Sequence, residues 1–126
     1  MVTWILWALI LAMLAWMGFN YLRIRRAAKI VDNEEFEALI RTGQLIDLRD
    51  PAEFHRKHIL GARNIPSSQL KTSLAALRKD KPALLYENQR AQRVTNAALY
   101  LKKQGFSEIY ILSYGLDSWK GKVKTS

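Results

Sequence analysis

Apolar positions along this chain form one long block and then a series of short ones. Residues 2–22 are 21 consecutive positions without a charged side chain. At about 1.5 Å rise per residue, a helix of that length covers the roughly 30 Å hydrocarbon core of a bilayer. Trp4 and Trp7 toward one end and Tyr21 toward the other suit the two interfaces. Beyond residue 28 the pattern changes to short apolar runs alternating with helical stripes. Lys29-Ile30-Val31 predicts a short edge strand. Asp32 with Glu35 is a capping box for a helix with Phe36, Leu39 and Ile40 on one face, closed by Gly43. Residues 45–48 predict a buried strand. Asp50-Pro51-Ala52-Glu53 opens a second, short helix with a cap, a proline at its first position and a glutamate three after the cap. Asn64-Ile65-Pro66 is extended, and Leu70, Leu74 and Leu77 predict another helix. After the turn at residues 79–82 come a strand at 83–86, a helix at 91–104 bearing Val94, Ala97, Ala98 and Leu101, and a strand at 109–112. Residues 114–119 make a loop and a short helix, and residues 120–126 predict a polar, frayed tail. Strands that alternate with helices imply an α/β fold, a parallel sheet covered on both faces.

The charges place these pieces. No Lys or Arg precedes the long apolar block, whereas Arg23, Arg25, Arg26 and Lys29 follow it before the first acid, Asp32. A cleaved signal peptide has its basic residues in front, so residues 1–22 read as an uncleaved single-pass transmembrane anchor. Basic residues stay on the cytoplasmic side, so the N-terminus faces outside and the domain lies at the cytoplasmic face of the cell membrane. The organisation expected is an anchor over 1–22, a basic juxtamembrane linker over 23–29, a domain over 30–121 and a polar tail over 122–126. Net charge is +9, and 16 basic and 11 acidic residues follow Lys29. Such a surface admits anionic lipid, an anionic ligand or nucleic acid. The basic residues are scattered, with no recognition-helix or base-stacking pattern, so a nucleic-acid binder is only an alternative. The chain has no cysteine, which excludes disulfides, thiolate metal sites and a cysteine nucleophile. No His, Asp or Glu cluster has metal-ligand spacing, and the sequence implies no cofactor.

The strand at 83–86 ends abruptly at Glu87-Asn88-Gln89-Arg90-Ala91-Gln92-Arg93, which leads straight into a helix. A buried strand that turns at once into a helix makes loop and helix N–H groups converge and favours an anion there. In an open α/β sheet, the carboxyl ends of the strands are also where ligands bind.

The order of motifs resembles the rhodanese homology domain. The resemblance is carried by Leu45-Ile46-Asp47-Leu48-Arg49, by Glu53-Phe54, and by the run from His58 through Gly61-Ala62-Arg63-Asn64-Ile65-Pro66. It continues through Leu84-Leu85-Tyr86 before the loop, the helix end from Leu101 to Gly105-Phe106, and Gly115 with Trp119. It implies a five-stranded, mostly parallel sheet with helices on both faces. It also implies sulfur transfer, in which a cysteine at the first loop position carries a persulfide. Loop amides cradle the anionic sulfur, and an arginine five residues on assists. Here Glu87 stands at the cysteine position, Arg90 at a loop glycine and Gln92 at the arginine, with Arg93 one step late.

A carboxylate does not form a persulfide, so no residue is expected to be catalytic, and residues 87–93 read as a degenerate active-site loop. The expectation is that Glu87 fills the cradle with its own charge, helped by Arg90 or Arg93. Asp47 and Arg49 are expected to brace the loop as an ion pair, as the resemblance implies. His58 is expected to bond to backbone, and Trp119 to lie in the core. The functional reading is a membrane-tethered, catalytically inactive binding or regulatory module, a rhodanese-like pseudoenzyme. Its partner would be an unknown protein or a small anionic ligand at the loop. Sulfurtransferase activity is the alternative implied by the resemblance.

Overall fold

The computed structural model describes residues 2–88 and 92–125, and the side chains at 24–26 lie outside that description. Helix α1 (Val2–Ala27) is followed by β1 (Lys29–Val31), α2 (Asn33–Ile40), β2 (Gln44–Asp47), α3 (Pro51–Arg56), β3 (Lys57–Ile59) and β4 (Arg63–Asn64). Then come β5 (Ala83–Tyr86), α4 (Gln92–Lys103), β6 (Ile109–Leu112) and β7 (Val123–Thr125). The main sheet has the order β1-β6-β5-β2-β4, and each of its pairings is parallel. β1 is an edge strand, as its three short residues predict.

Alternation along the strands sorts the core into two layers. Ala83, Leu85, Ile109 and Ile111 face α4, whose Val94, Ala97, Ala98 and Leu101 close that side. Leu84, Tyr86 and Leu112 face the other way, against Phe36 of α2 and Trp119. Phe36 and Trp119 meet edge to face, with ring centroids 5.9 Å apart. Trp119 is therefore a core aromatic. Helices cover both faces of the sheet, and β5 is buried along its whole length.

Two expectations change. Residues 70–77 do not form an α-helix: turns link two single-turn 3₁₀ segments, Ser67–Gln69 and Leu74–Ala76. Leu70 and Leu77 are still buried, so these leucines mark a core contact and not a helical period. The tail is not wholly frayed, because β7 pairs antiparallel with β3 in a separate two-stranded sheet. Helix α1 continues through the basic stretch after the apolar block as far as Ala27. Ala27 and Ala28 are buried, and the end of α1 packs on α4. By contrast, the apolar side chains of residues 2–22 are exposed along the helix, among them Trp4, Trp7, Leu11 and Phe19. The segment Val2–Arg23 is long and apolar enough to cross a membrane.

Helix starts follow their caps in part. Asp32 accepts the N–H of Glu35 at 2.9 Å, while the Glu35 side chain turns to Lys29 at 3.2 Å and does not close the box. Asp50 begins α3 with Pro51 at the first position, but its side chain makes no cap bond. Glu53 leaves that helix start for the loop after β5.

Candidate functional site

Parallel strands bring their carboxyl ends together, so the residues that follow β2, β5 and β6 meet at one end of the sheet. Glu87, directly after β5, is buried. Its carboxylate Oε2 accepts the backbone N–H of Val94 at 2.9 Å. With α4 beginning at Gln92, Val94 is the third residue of the helix, whose first N–H groups have no partner within the helix. A side chain seven residues back therefore does the work of an N-cap and puts a negative charge at the positive end of the helix dipole.

The Glu87 carboxyl is held above the ordinary glutamate range. Burial is the main cause, opposed by the bond from Val94 and the charge of Arg93. Glu53 and Asp47 push in the same direction as burial. Desolvation thus outweighs what one N–H and one nearby cation return.

Beside Glu87 lies a buried polar network. Arg49 Nη2 donates to Asp47 Oδ2 at 2.8 Å, and Arg49 Nε lies 3.1 Å from both Asp47 oxygens. The backbone N–H of Arg49 also donates to Asp47 Oδ1, and Nη2 donates to the carbonyl of Lys57. Burial pulls the guanidinium down, but the hydrogen bond and charge of Asp47 outweigh it, so Arg49 is held more firmly cationic than usual. Its Nη1 reaches Asn88 Oδ1 at 3.0 Å, and Asn88 Nδ2 donates to Glu53 Oε2 at 3.2 Å. Asp47, Arg49, Asn88 and Glu53 thus form one chain of contacts that ties the end of β2 and helix α3 to the residue after Glu87. Tyr86 adds to it: its hydroxyl accepts the N–H of Ile59 at 3.1 Å. Burial raises the phenol first, and the Asp47 charge and hydrogen bond raise it further, so it stays neutral.

The loop backbone is clamped from the side of β6. The carbonyls of Glu87 and Asn88 accept the N–H groups of Leu116 at 2.7 Å and Asp117 at 3.0 Å. Gly115 makes this approach possible: its φ is +70°, and a Cβ there would stand 2.4 Å from the Asn88 oxygen. A cleft of about 500 Å³ opens here, lined by Arg49, Glu53, Arg56, Lys57, Asn88 and Asp117 among others. Its lining carries both signs of charge.

The structure thus brings together Glu87, Asn88, Asp47 and Arg49 from the residues singled out in the sequence. Gln92 and Arg93 are exposed on the first turn of α4. Gln89, Arg90 and Ala91 lie outside the described residues, so the expected help from Arg90 does too. His58 donates from Nδ1 to the Phe54 carbonyl at 2.7 Å and stacks on that ring at 3.8 Å, which makes it a packing residue. Among the described residues no group of three His, Asp or Glu comes together as a metal-ligand set. Glu53 and Gly115 are the functional residues that sequence reasoning missed. Glu53 read as half of a capping box; an acid at the third position of a helix looks the same whichever way it turns.

Comparison with known proteins agrees with this geometry. The family profile of the rhodanese-like domain matches residues 32–122. An uncharacterized Bacillus subtilis protein, YqhL, is 47% identical over 113 residues, covering 90% of this chain and 89% of the relative. The thiosulfate sulfurtransferase GlpE of Stutzerimonas stutzeri is 36% identical over 95 residues, covering 73% of this chain and 84% of GlpE. A crystal structure of a Lactobacillus plantarum protein superposes with a TM-score of 0.69 at 23% identity, covering 90% of this chain and 98% of the other. The solution structure of a rhodanese-like domain from Anabaena gives 0.68 at 21% identity, covering 76% and 78%. The five-stranded parallel sheet, the strand-to-helix loop after its central strand and the sequence match together show that this chain belongs to the rhodanese-like domain family.

Proposed function

We propose that this protein is a membrane-tethered, catalytically silent rhodanese-like domain that acts as a binding or regulatory module at the cytoplasmic face. The observation that carries this reading is the seat of Glu87, a carboxylate at the first position after the central strand with its oxygen on the Val94 N–H. Sulfur transfer through a persulfide needs a thiolate that attacks the donor sulfur and keeps it. Glu87 stands where that thiolate would be, and the chain has no cysteine elsewhere to replace it. An anion arriving at this cradle meets a buried carboxylate already bonded there. What remains open is the neighbouring cleft of mixed charge, which suits the polar side chains of a protein partner better than a lone anion. The tether is residues 2–22, and the basic cluster after them supports the cytoplasmic orientation.

The test is thiosulfate:cyanide sulfur transfer by the full chain in detergent, with GlpE as the positive control. No turnover above the buffer blank is expected from the wild type; turnover by enzyme-free-background preparations would overturn the reading. The protein should also fractionate with membranes, and protease added to sealed cells should leave the domain intact.

A further inference from the structure

All five strands of the main sheet run the same way, so they all start at one end of the domain and finish at the other. The loop with Glu87 is at the finishing end. Helix α1 joins at the starting end: it closes at Ala27, and Lys29 opens β1 with one residue between. The last apolar residue of the anchor is Leu22, so about five helical residues, roughly 7 Å, separate the hydrocarbon boundary from the sheet. That is about the depth of one headgroup layer. With Ala27 and Ala28 buried in the fold, no flexible spacer lets the domain swing away.

The starting end carries more basic than acidic side chains. Helices α2 and α4 must return the chain to it before the next parallel strand, which places Arg41, Lys102 and Lys103 there. The turn before β5 adds Arg78, Lys79 and Lys81. All six are exposed. Asp80 and Glu108 are the acids in the turns at this end, and Asp80 is taken by Arg78 at 2.6 Å. The turns are held side by side: Gln44 Nε2 donates to the Arg78 carbonyl at 2.6 Å, and the Ala83 N–H donates to the Glu108 carbonyl at 2.9 Å. Among them a cavity of about 300 Å³ is lined by Gln44, Arg63, Arg78 and Lys81. At the opposite end, Asp32, Asp47 and Glu87 stand at or directly after the finishing ends of β1, β2 and β5.

We propose that the basic starting end of the sheet is a docking surface for anionic lipid headgroups, and that the rigid end of α1 holds it against them. The domain then stands upright on the bilayer, with the Glu87 loop and its cleft turned to the aqueous side. The proposal rests on α1 crossing the membrane, as read above. The occupant is a lipid surface and not a soluble anion because the charge lies at the same end of the sheet as the point where the anchor leaves the fold.

The native chain has no cysteine, so one introduced cysteine carries one label. Full-length Ser107→Cys reports the starting end and Ser118→Cys the finishing end; both positions are exposed. Each variant, bearing a fluorophore, is reconstituted into vesicles containing a headgroup nitroxide, made of phosphatidylcholine alone or with about one-third phosphatidylglycerol. Quenching at position 107 should exceed that at 118 by about twofold or more in anionic vesicles, and the excess should shrink as salt rises. Adding Lys79→Gln, Lys81→Gln, Lys102→Gln and Lys103→Gln together should abolish the anionic-lipid increment, with the circular dichroism spectrum unchanged. Equal quenching at both positions, or the same values with and without phosphatidylglycerol, would overturn the docking surface while leaving the anchor standing. Failure of the protein to float with the vesicles would instead sink the membrane reading and the docking surface with it.

Discussion

The two ends of the same parallel sheet handle charge in opposite ways. At the finishing end, Asp47, Arg49 and Glu87 are buried, and each has a named partner within about hydrogen-bonding distance. At the starting end the Arg78–Asp80 pair has side chains 62% and 64% exposed. Charge out of water must be matched or it destabilises, whereas charge in water costs little and contributes little. The lesson is that the finishing end specifies the fold locally, while the starting end leaves its charge in water.

Removing one member of the buried pair should have the largest effect. Asp47→Ala leaves the Arg49 guanidinium buried with only carbonyl and amide oxygens to face, and should cost about 3–5 kcal/mol in denaturant unfolding. A cost below that of an exposed pair would mean that Arg49 swings out to water and the network is not a brace.

Next is Glu87. Glu87→Ala strips the partner from the Val94 N–H and should cost about 0.5–2 kcal/mol, as loss of a helix cap does. Glu87→Gln keeps an oxygen in place and removes the buried charge, so it should be neutral or slightly stabilising at pH 7. The sign follows from the raised carboxyl, whose main cause is burial. A group that binds its proton more readily when folded lowers stability while ionised, and that penalty is relieved as pH falls through the raised value toward about 4. Wild type should therefore gain on Glu87→Gln during acidification, read as the difference in unfolding midpoints between pH 7 and pH 4. An unchanged difference would place Glu87 in solvent.

The smallest effect belongs to the starting end. Asp80→Asn removes a short ion pair, yet both side chains are mostly exposed, and the melting temperature should not move beyond error. A clear drop would blur the contrast between the two ends.

Much of this was legible in the sequence, for physical reasons that differ by residue. The strand at 83–86 could be read because four apolar residues stop at a charge, and α4 because Val94, Ala97, Ala98 and Leu101 repeat with the helical period. Asp32 announced its helix because an N-cap bond is local. Leu70, Leu74 and Leu77 misled because the same spacing is produced by turns whose leucines reach one core. β7 was hidden because Val123-Lys124-Thr125 is polar, and only its pairing with β3 makes it a strand. At the site, Asp47 and Arg49 are two residues apart and could be read as a pair. The links from Asn88 to Glu53, and from Gly115 to the loop carbonyls, span distances that no local pattern records.

Glu87 seats its own carboxylate at the start of α4, on the Val94 N–H. A carbon-detected NMR titration of the full chain in detergent micelles, following the Glu87 carboxyl together with the Val94 amide proton, tests it directly. A Glu87 midpoint above the ordinary glutamate range is expected, with the Val94 amide moving along the same curve. A midpoint within or below that range, with a Val94 amide indifferent to pH, would contradict it.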